Sequence, residues 1–215
     1  MPEVEPGRLP VQRDLSQGQG PAHSELADFC CDHIRLNMFH LAADFAFTKV
    51  LQDHAAEIRA EAEGIRSLMR DWYETKLHDE GWQVYGLYNF PGGELLADNA
   101  QRCPVTTTLI AQHLPGHAAA GFSLLKPHSR IRPHSGYDGG LLRCHLPLVV
   151  PEGDCALRVG PETRRWQAGQ CIVFDDTTEH EAWNLTDSPR TVLLVDFVPG
   201  LYKKSAILNG SPVSL

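Results

Sequence analysis

L-L-R-C-H-L-P-L-V-V (Leu141–Val150) is the stretch whose reading decides the fold. It is apolar and β-branched around one Arg and one His, and Pro151-Glu152-Gly153-Asp154 ends it, so it reads as a strand. Short runs of the same kind lie on either side: Gly121–Leu125 before it, and Cys155–Val159, Cys171–Phe174 and Thr191–Val198 after it. Gly160-Pro161-Glu162 and Gln167-Ala168-Gly169 punctuate them. Closely spaced short strands divided by turn signals point to a double-sheet jelly roll or barrel.

Upstream, W-Q-V-Y-G-L-Y-N-F (Trp82–Phe90) is one more strand, turned by Pro91-Gly92-Gly93. N-A-Q-R-C-P (Asn99–Pro104) leads into a short helix through Val105, Leu109 and Ile110 that stops near Pro115-Gly116. From Ser24 to about Leu77 the pattern is helical. Ser24 caps a first helix through Leu26, Phe29, Cys30 and Ile34, and Val50, Leu51, Ile58, Ile65, Leu68, Met69 and Trp72 follow a period near 3.6. Helices first and strands afterwards give an α+β, mainly β chain: a jelly-roll core over 81–202 with an N-terminal helical support over 23–80. Residues 1–22, rich in Pro, Gly and Gln, read as a disordered tail and 203–215 as a C-terminal tail, leaving a single domain over 23–215. His33, His40 and His54 read as surface or partly buried helix residues, since they lack the i, i+4 pairing of a helical metal site.

Composition narrows the function classes. The chain has 215 residues and a formal net charge of −8, which argues against a nucleic-acid surface. No apolar run is long enough to span a membrane, and the first residues lack a signal-peptide core. The six cysteines show no C-x-x-C, and Cys30 and Cys31 are adjacent, as expected of free thiols in a reducing cytoplasm.

His134 in R-P-H-S-G and His180 in F-D-D-T-T-E-H-E-A-W each stand at the edge of a strand-like segment. Neutral imidazole suits iron, zinc, copper and nickel. A non-haem iron site commonly adds a carboxylate two residues after the first His, but that position is Gly136. From spacing alone the two histidines fit either a metal pair or two satisfied core or loop residues in a chain that contains eleven. Arg143 and His145, two apart on a strand, share a face, and Cys144 points to the other. Asp138 reads as a solvated loop acid rather than a ligand, His128 as a turn residue and Trp183 as a core residue.

From about Trp82 to Pro199 the sequence resembles the aspartyl/asparaginyl β-hydroxylase family, through N-A-Q-R-C-P, F-S-L-L-K-P, R-P-H-S-G, L-R-C-H-L-P-L-V-V-P and F-D-D-T-T-E-H-E-A-W-N, in order. The resemblance implies a double-stranded β-helix (cupin-like) and an iron(II)- and 2-oxoglutarate-dependent dioxygenase whose iron is held by His134 and His180 without a carboxylate. It gives Asp176 the outer role of hydrogen-bonding a water at the missing position. 2-Oxoglutarate is a dicarboxylate whose far end needs a charge-assisted partner. Arg190 matches that position, with Ser123 sharing the load, and Arg143 and His145 match contacts to the near carboxylate or to a carboxylate of the substrate. The implied reaction consumes dioxygen and hydroxylates an unactivated carbon of an amino acid or of an aspartyl/asparaginyl-like residue in a peptide. A lipid acyl-chain hydroxylase, a halogenase sharing the H-x-G pattern, and a non-oxidative cupin-like metal-binding protein are the alternatives.

Overall fold

The computed structural model describes residues 38–89, 92–114, 116–136 and 140–201. The expected Ser24 helix, His33, Cys30, Cys31, Pro91, Pro115, Asp138 and both tails lie outside them. The strands are β1 (Phe39–His40), β2 (Arg70–Asp71), β3 (Trp82–Tyr88), β4 (His117–Leu125), β5 (Ser129–His134), β6 (Leu142–Val149), β7 (Cys155–Val159), β8 (Glu162–Arg165), β9 (Ile172–Asp175), β10 (His180–Asn184) and β11 (Arg190–Phe197). The α-helices are α1 (Ala46–Asp53), α2 (Ala55–Gly64), α3 (Ala97–Ala100) and α4 (Pro104–His113). Every pairing is antiparallel. One sheet runs β1-β9-β6-β11-β4-β3-β2, the other β5-β10-β7-β8. This is the double-stranded β-helix expected from the sequence.

Period-two alternation on the seven-stranded sheet separates two cores. Phe122, Leu124, Cys144, Leu146, Val173, Leu193, Val195 and Phe197 face the helices, where Phe47 and Leu51 of α1, Ile58 and Ala62 of α2 and Ile110 of α4 cover them. Leu125, Phe174 and Val192 face the other sheet and meet Ile131, Leu157, Val159 and Ala182. The helices thus seal one face and leave the space between the sheets for chemistry. Cys144 lies on the helix side, opposite to its neighbours Arg143 and His145, as alternation requires. The tie between α2 and α4 is polar. Glu61 accepts the first backbone N–H groups of α4, from Val105 at 2.7 Å and Thr106 at 2.9 Å, and so caps a helix that opens on Pro104.

The helical support is shorter than the sequence suggests. Phe39–His40 is an edge strand on β9, so His40 is not on a helix. The helical run breaks at His54, whose Nδ1 lies 2.9 Å from Val50 O, and ends by Leu68. Met69 turns extended, and Arg70–Asp71 pairs with β3. Met69 and Trp72 continue the 3.6 spacing only by coincidence. Met69 is buried under the helices while Trp72 packs toward the inter-sheet core. Other boundaries follow the turn signals closely, β4 being longer than expected because it starts at His117.

Candidate active site

β5 and β10 are neighbours, and their register sets His134 opposite His180 with ring centroids 4.3 Å apart. His134 Nδ1 donates to Arg132 O at 2.7 Å and His180 Nδ1 to Thr178 O at 2.9 Å. A carbonyl oxygen can only accept, so the hydrogen sits on Nδ1 and each Nε2 keeps its lone pair. That tautomer, fixed by a backbone carbonyl, is the one a metal-ligating imidazole uses. Burial, then the neighbouring His134 and Arg143, pulls the His180 pKa down to about 3. Burial also lowers His134, opposed by its bond to Arg132 O and by the Glu74 charge. Both rings are therefore neutral at neutral pH and able to hold a divalent metal between them.

Gly136, where a carboxylate ligand would otherwise stand, offers no side-chain donor. Among the described residues no three His, Cys, Asp or Glu side chains converge as a metal set. Instead the Asp176 carboxylate fills the space beside Gly136. Gly136 N–H donates to Asp176 O at 2.7 Å, and a Cβ built on Gly136 would run into the Asp176 carboxyl group. Asp176 Oδ1 lies 3.4 Å from His180 Nε2. Burial raises the Asp176 pKa to about 6, partly offset by Arg143 and reinforced by Asp196 and Asp175. Arg143 Nη1 approaches Asp176 Oδ1 to 2.6 Å but off the donor direction, so Oδ1 has no hydrogen bond among the described residues. The fork of Arg143 is engaged elsewhere, Nε donating to Asp196 Oδ1 at 2.7 Å and Nη2 to Oδ2 at 2.9 Å.

Farther along the inner face of the seven-stranded sheet the register places Leu194 opposite His145, Val192 opposite Ser123 and Arg190 opposite Leu125. Arg190 is 1% exposed. Its Nη1 donates to Ser123 O at 3.2 Å, with Ser123 Oγ 3.4 Å away, and the guanidinium lies 4.8 Å from the centre of the Trp166 ring. Trp82 Nε1 donates to Ser123 Oγ at 3.1 Å and holds that hydroxyl in place. Burial lowers the Arg190 pKa to about 10, so it stays charged at neutral pH. No carboxylate pairs with it among the described residues. Arg190 Nε, Trp166 Nε1 and His145 Nδ1 are all buried without a hydrogen-bond partner among the described residues. Burial, with the Arg190, Arg143 and His180 charges, holds His145 well below the usual imidazole range. A buried, unpaired cation ringed by idle polar groups is costly unless an anion binds there.

His134, His180, Asp176, Arg143 and His145 thus converge, with Ser123 and Arg190 deeper in the same space. Trp183 departs from its expected place. His180, Ala182 and Asn184 take the inward positions of β10, so Trp183 points outward, where its Nε1 donates to Asp154 at 2.7 Å. His128 is the expected turn residue, with φ +55°. Sequence reasoning missed Asp196, Trp166, Trp82 and Glu74. Asp196 alone carried a signal, an acid inside the apolar run L-L-V-D-F and an even number of residues from Arg190, hence on the same face.

Comparison with known proteins supplies independent findings. Residues 52–199 match the family described as aspartyl/asparaginyl β-hydroxylase. The chain is 39% identical to the ornithine lipid ester-linked acyl 2-hydroxylase of Rhizobium tropici over 64% of this chain and 48% of that protein. It is also 39% identical to the aspartyl/asparaginyl β-hydroxylase of Homo sapiens, over 69% of this chain and 19% of that protein. It therefore spans about half the length, or less, of these curated relatives. Among solved structures, a non-heme α-ketoglutarate-dependent carbocyclase from nogalamycin biosynthesis shares the fold, with a TM-score of 0.51 at 12% identity over 67% of this chain and 74% of that one.

Proposed function

The chain belongs to the aspartyl/asparaginyl β-hydroxylase family, and from that premise we propose that it is an iron(II)- and 2-oxoglutarate-dependent dioxygenase. Its substrate is an amino acid, or an aspartyl/asparaginyl-like residue in a peptide, hydroxylated at an unactivated carbon. The single observation that carries the reading is Arg190, buried, charged and unpaired, at the inner end of the space that opens on two metal-ready imidazoles. His134 and His180 would hold the iron through Nε2. Arg190 and Ser123 would take the far carboxylate of 2-oxoglutarate, and His145 and Arg143 would stand beside its near end. Bound iron(II) with 2-oxoglutarate and dioxygen supplies the power to oxidise an unactivated C–H bond while the co-substrate becomes succinate and carbon dioxide.

The protein's own part is placement and electrostatics. Phe174 packs edge-on against both His145 and His180, at 5.2 and 5.4 Å between ring centroids, and keeps bulk water from the inner wall. Asp176 stands where a ligand acid would stand and sets the charge there. A carboxylate roughly 4 Å from a chloride costs about 4 kcal/mol at an effective dielectric of about 20, which favours hydroxylation over halogenation. A second reading, hydroxylation of a lipid acyl chain, is favoured by the match to the lipid hydroxylase of Rhizobium tropici.

One experiment separates these readings. The protein is incubated with iron(II), 2-oxoglutarate and either a metabolite and peptide pool or a lipid extract, and scored by mass spectrometry for one added oxygen and for matched succinate. Product from the first pool supports the amino-acid reading, and product from the lipid pool the acyl-chain reading. Turnover without succinate sinks 2-oxoglutarate dependence. A chlorinated product, or an absolute need for chloride, sinks hydroxylation.

A further inference from the structure

β5, the strand that ends at His134, carries a loop along its outer side that the proposed chemistry does not use. His78 bridges to Ile131, Arg132 Nη1 donates to Lys76 O at 2.9 Å, and Arg132 pairs with Asp79. Through these ties the loop follows β5, with one 3-10 turn at Thr75–Leu77, and Glu74 just before that turn is close enough for its charge to be felt by the His134 ring. Trp72 is pinned by its backbone N–H on Trp82 O at 2.9 Å. Its ring centroid lies 5.1 Å from that of Trp82 and 4.6 Å from that of Tyr73, both tilted. Trp72 Nε1 also donates to Glu74 Oε2 at 3.4 Å. A series of aromatic rings therefore leads from Ser123, which Trp82 holds, out to Tyr73 at the rim, and Tyr73 is 71% exposed.

Charge gives this rim its meaning. Glu74 is half-buried, and among the described residues no lysine or arginine pairs with it. On β5, Arg132 is engaged by Asp79, and on β6 Arg143 is engaged by Asp196 and Asp176. Aromatic faces beside a carboxylate attract an ammonium group by cation–π and ionic contact together. We propose that Trp72, Tyr73 and Glu74 form a subsite for a cationic, ammonium-type group of the substrate, at the mouth of the space holding His134 and His180. This rests on the hydroxylase reading only in taking that mouth as the substrate's entry. It narrows the substrate class to molecules that carry a positive charge a short distance from the carbon to be oxidised.

The test is a calorimetric titration of the full chain loaded with zinc, which supports no turnover. The probes are hexanoylcholine and its neutral isostere 3,3-dimethylbutyl hexanoate. Hexanoylcholine should bind about tenfold more tightly, as a partly desolvated cation–π contact with an adjacent carboxylate would give. Glu74→Gln should bring the preference below about threefold with zinc content and circular dichroism unchanged. Tyr73→Ala, at an exposed position, should weaken the cation more than the ester. Equal affinities, failure of both probes to bind, or a preference that survives Glu74→Gln overturns the subsite. Loss of zinc in Glu74→Gln also overturns it, by making Glu74 a metal ligand. Because neither 2-oxoglutarate nor succinate enters the measurement, a negative result leaves the hydroxylase reading standing, and absence of 2-oxoglutarate turnover leaves the subsite standing.

Discussion

The seven-stranded and four-stranded sheets face each other across one core yet are built on different terms. The first is covered on both faces at its centre, by helices outside and by its partner inside, so β6 and β11 are buried along nearly their whole length and β4 over its second half. The second shows water its outer face: β8 is exposed at every residue, and Arg130, Arg132, Glu181 and Trp183 point outward from β5 and β10. Of the inward positions of β10, His180 belongs to the site, Ala182 packs in the inter-sheet core and Asn184 ties backbone carbonyls of Leu125, Lys126 and Ser188. Burial therefore concentrates in one sheet, while the other carries the proposed metal pair, His134 and His180, with Arg190 as the proposed functional outpost of the first.

The sharpest way to break that division is His180→Ala. Bound metal and turnover should fall at least about a hundredfold, since one imidazole does not retain a labile divalent ion, while stability changes by roughly 1 kcal/mol, a few degrees in Tm. Metal analysis beside a thermal melt reads both, and a variant that unfolds while keeping its metal would reverse the assignment. Arg190→Ala tests the outpost. The affinity for 2-oxoglutarate should drop by on the order of 2–5 kcal/mol, with partial rescue by Lys, which lacks the planar fork. Unchanged binding by calorimetry would remove Arg190 from the co-substrate site.

Next come paired substitutions that compare the sheets directly. Leu193→Ala, in the buried middle of β11, should cost about 2–5 kcal/mol in urea unfolding, and Arg164→Ala on β8 about 0.5 kcal/mol or less. Similar costs at the two positions would erase the distinction. The smallest effect is acid sensitivity of the metal-free protein. His180, His145 and His134 have folded pKa values below that of a free imidazole, so their contribution is full above pH 6.5 and declines as pH falls toward the folded values. Asp176, raised to about 6, acts in the opposite sense, stabilising below its ordinary 3.8 and losing that as pH rises through 6. Three histidines against one carboxylate predict a falling Tm from pH 7 to pH 5. A flat or rising curve would show that the rings are not buried neutral.

Legibility in the sequence follows the same division. β3, β4, β6, β9 and β11 could be read from apolar runs between turn signals, because burial on both faces leaves an uninterrupted pattern. β7 of the other sheet shared that legibility because it too is almost wholly buried, whereas the two-residue β1 and β2 were absorbed into the helical reading. β5, β8 and β10 escaped that reading. S-R-I-R-P-H mixes arginines with a proline, E-T-R-R has no apolar face, and H-E-A-W-N puts its large apolar residue on the wet side. His134 and His180 stood out only as chemistry at segment edges, and it took the family resemblance to join them. Trp82 and Trp166 were not legible as site residues, since a tryptophan in a strand or loop looks the same whether it fills a core or braces a guanidinium. Glu74 was hidden more deeply, because its meaning comes from a loop tied to β5 only by the His78–Ile131 bridge and the bond of Arg132 to Lys76 O.

Gly136 and Asp176 lie far apart in the chain, yet they share one volume. An acid introduced at 136 alone would press two carboxylates into a hole shaped for one, and removal of Asp176 alone would leave the hole empty. The change from this arrangement to one with a directly ligating acid thus requires two exchanges at once, each harmful without the other. The two positions behave as a single locus. An engineer who wants a side chain at 136 has to move both together, since a Cβ there already meets the Asp176 carboxyl group.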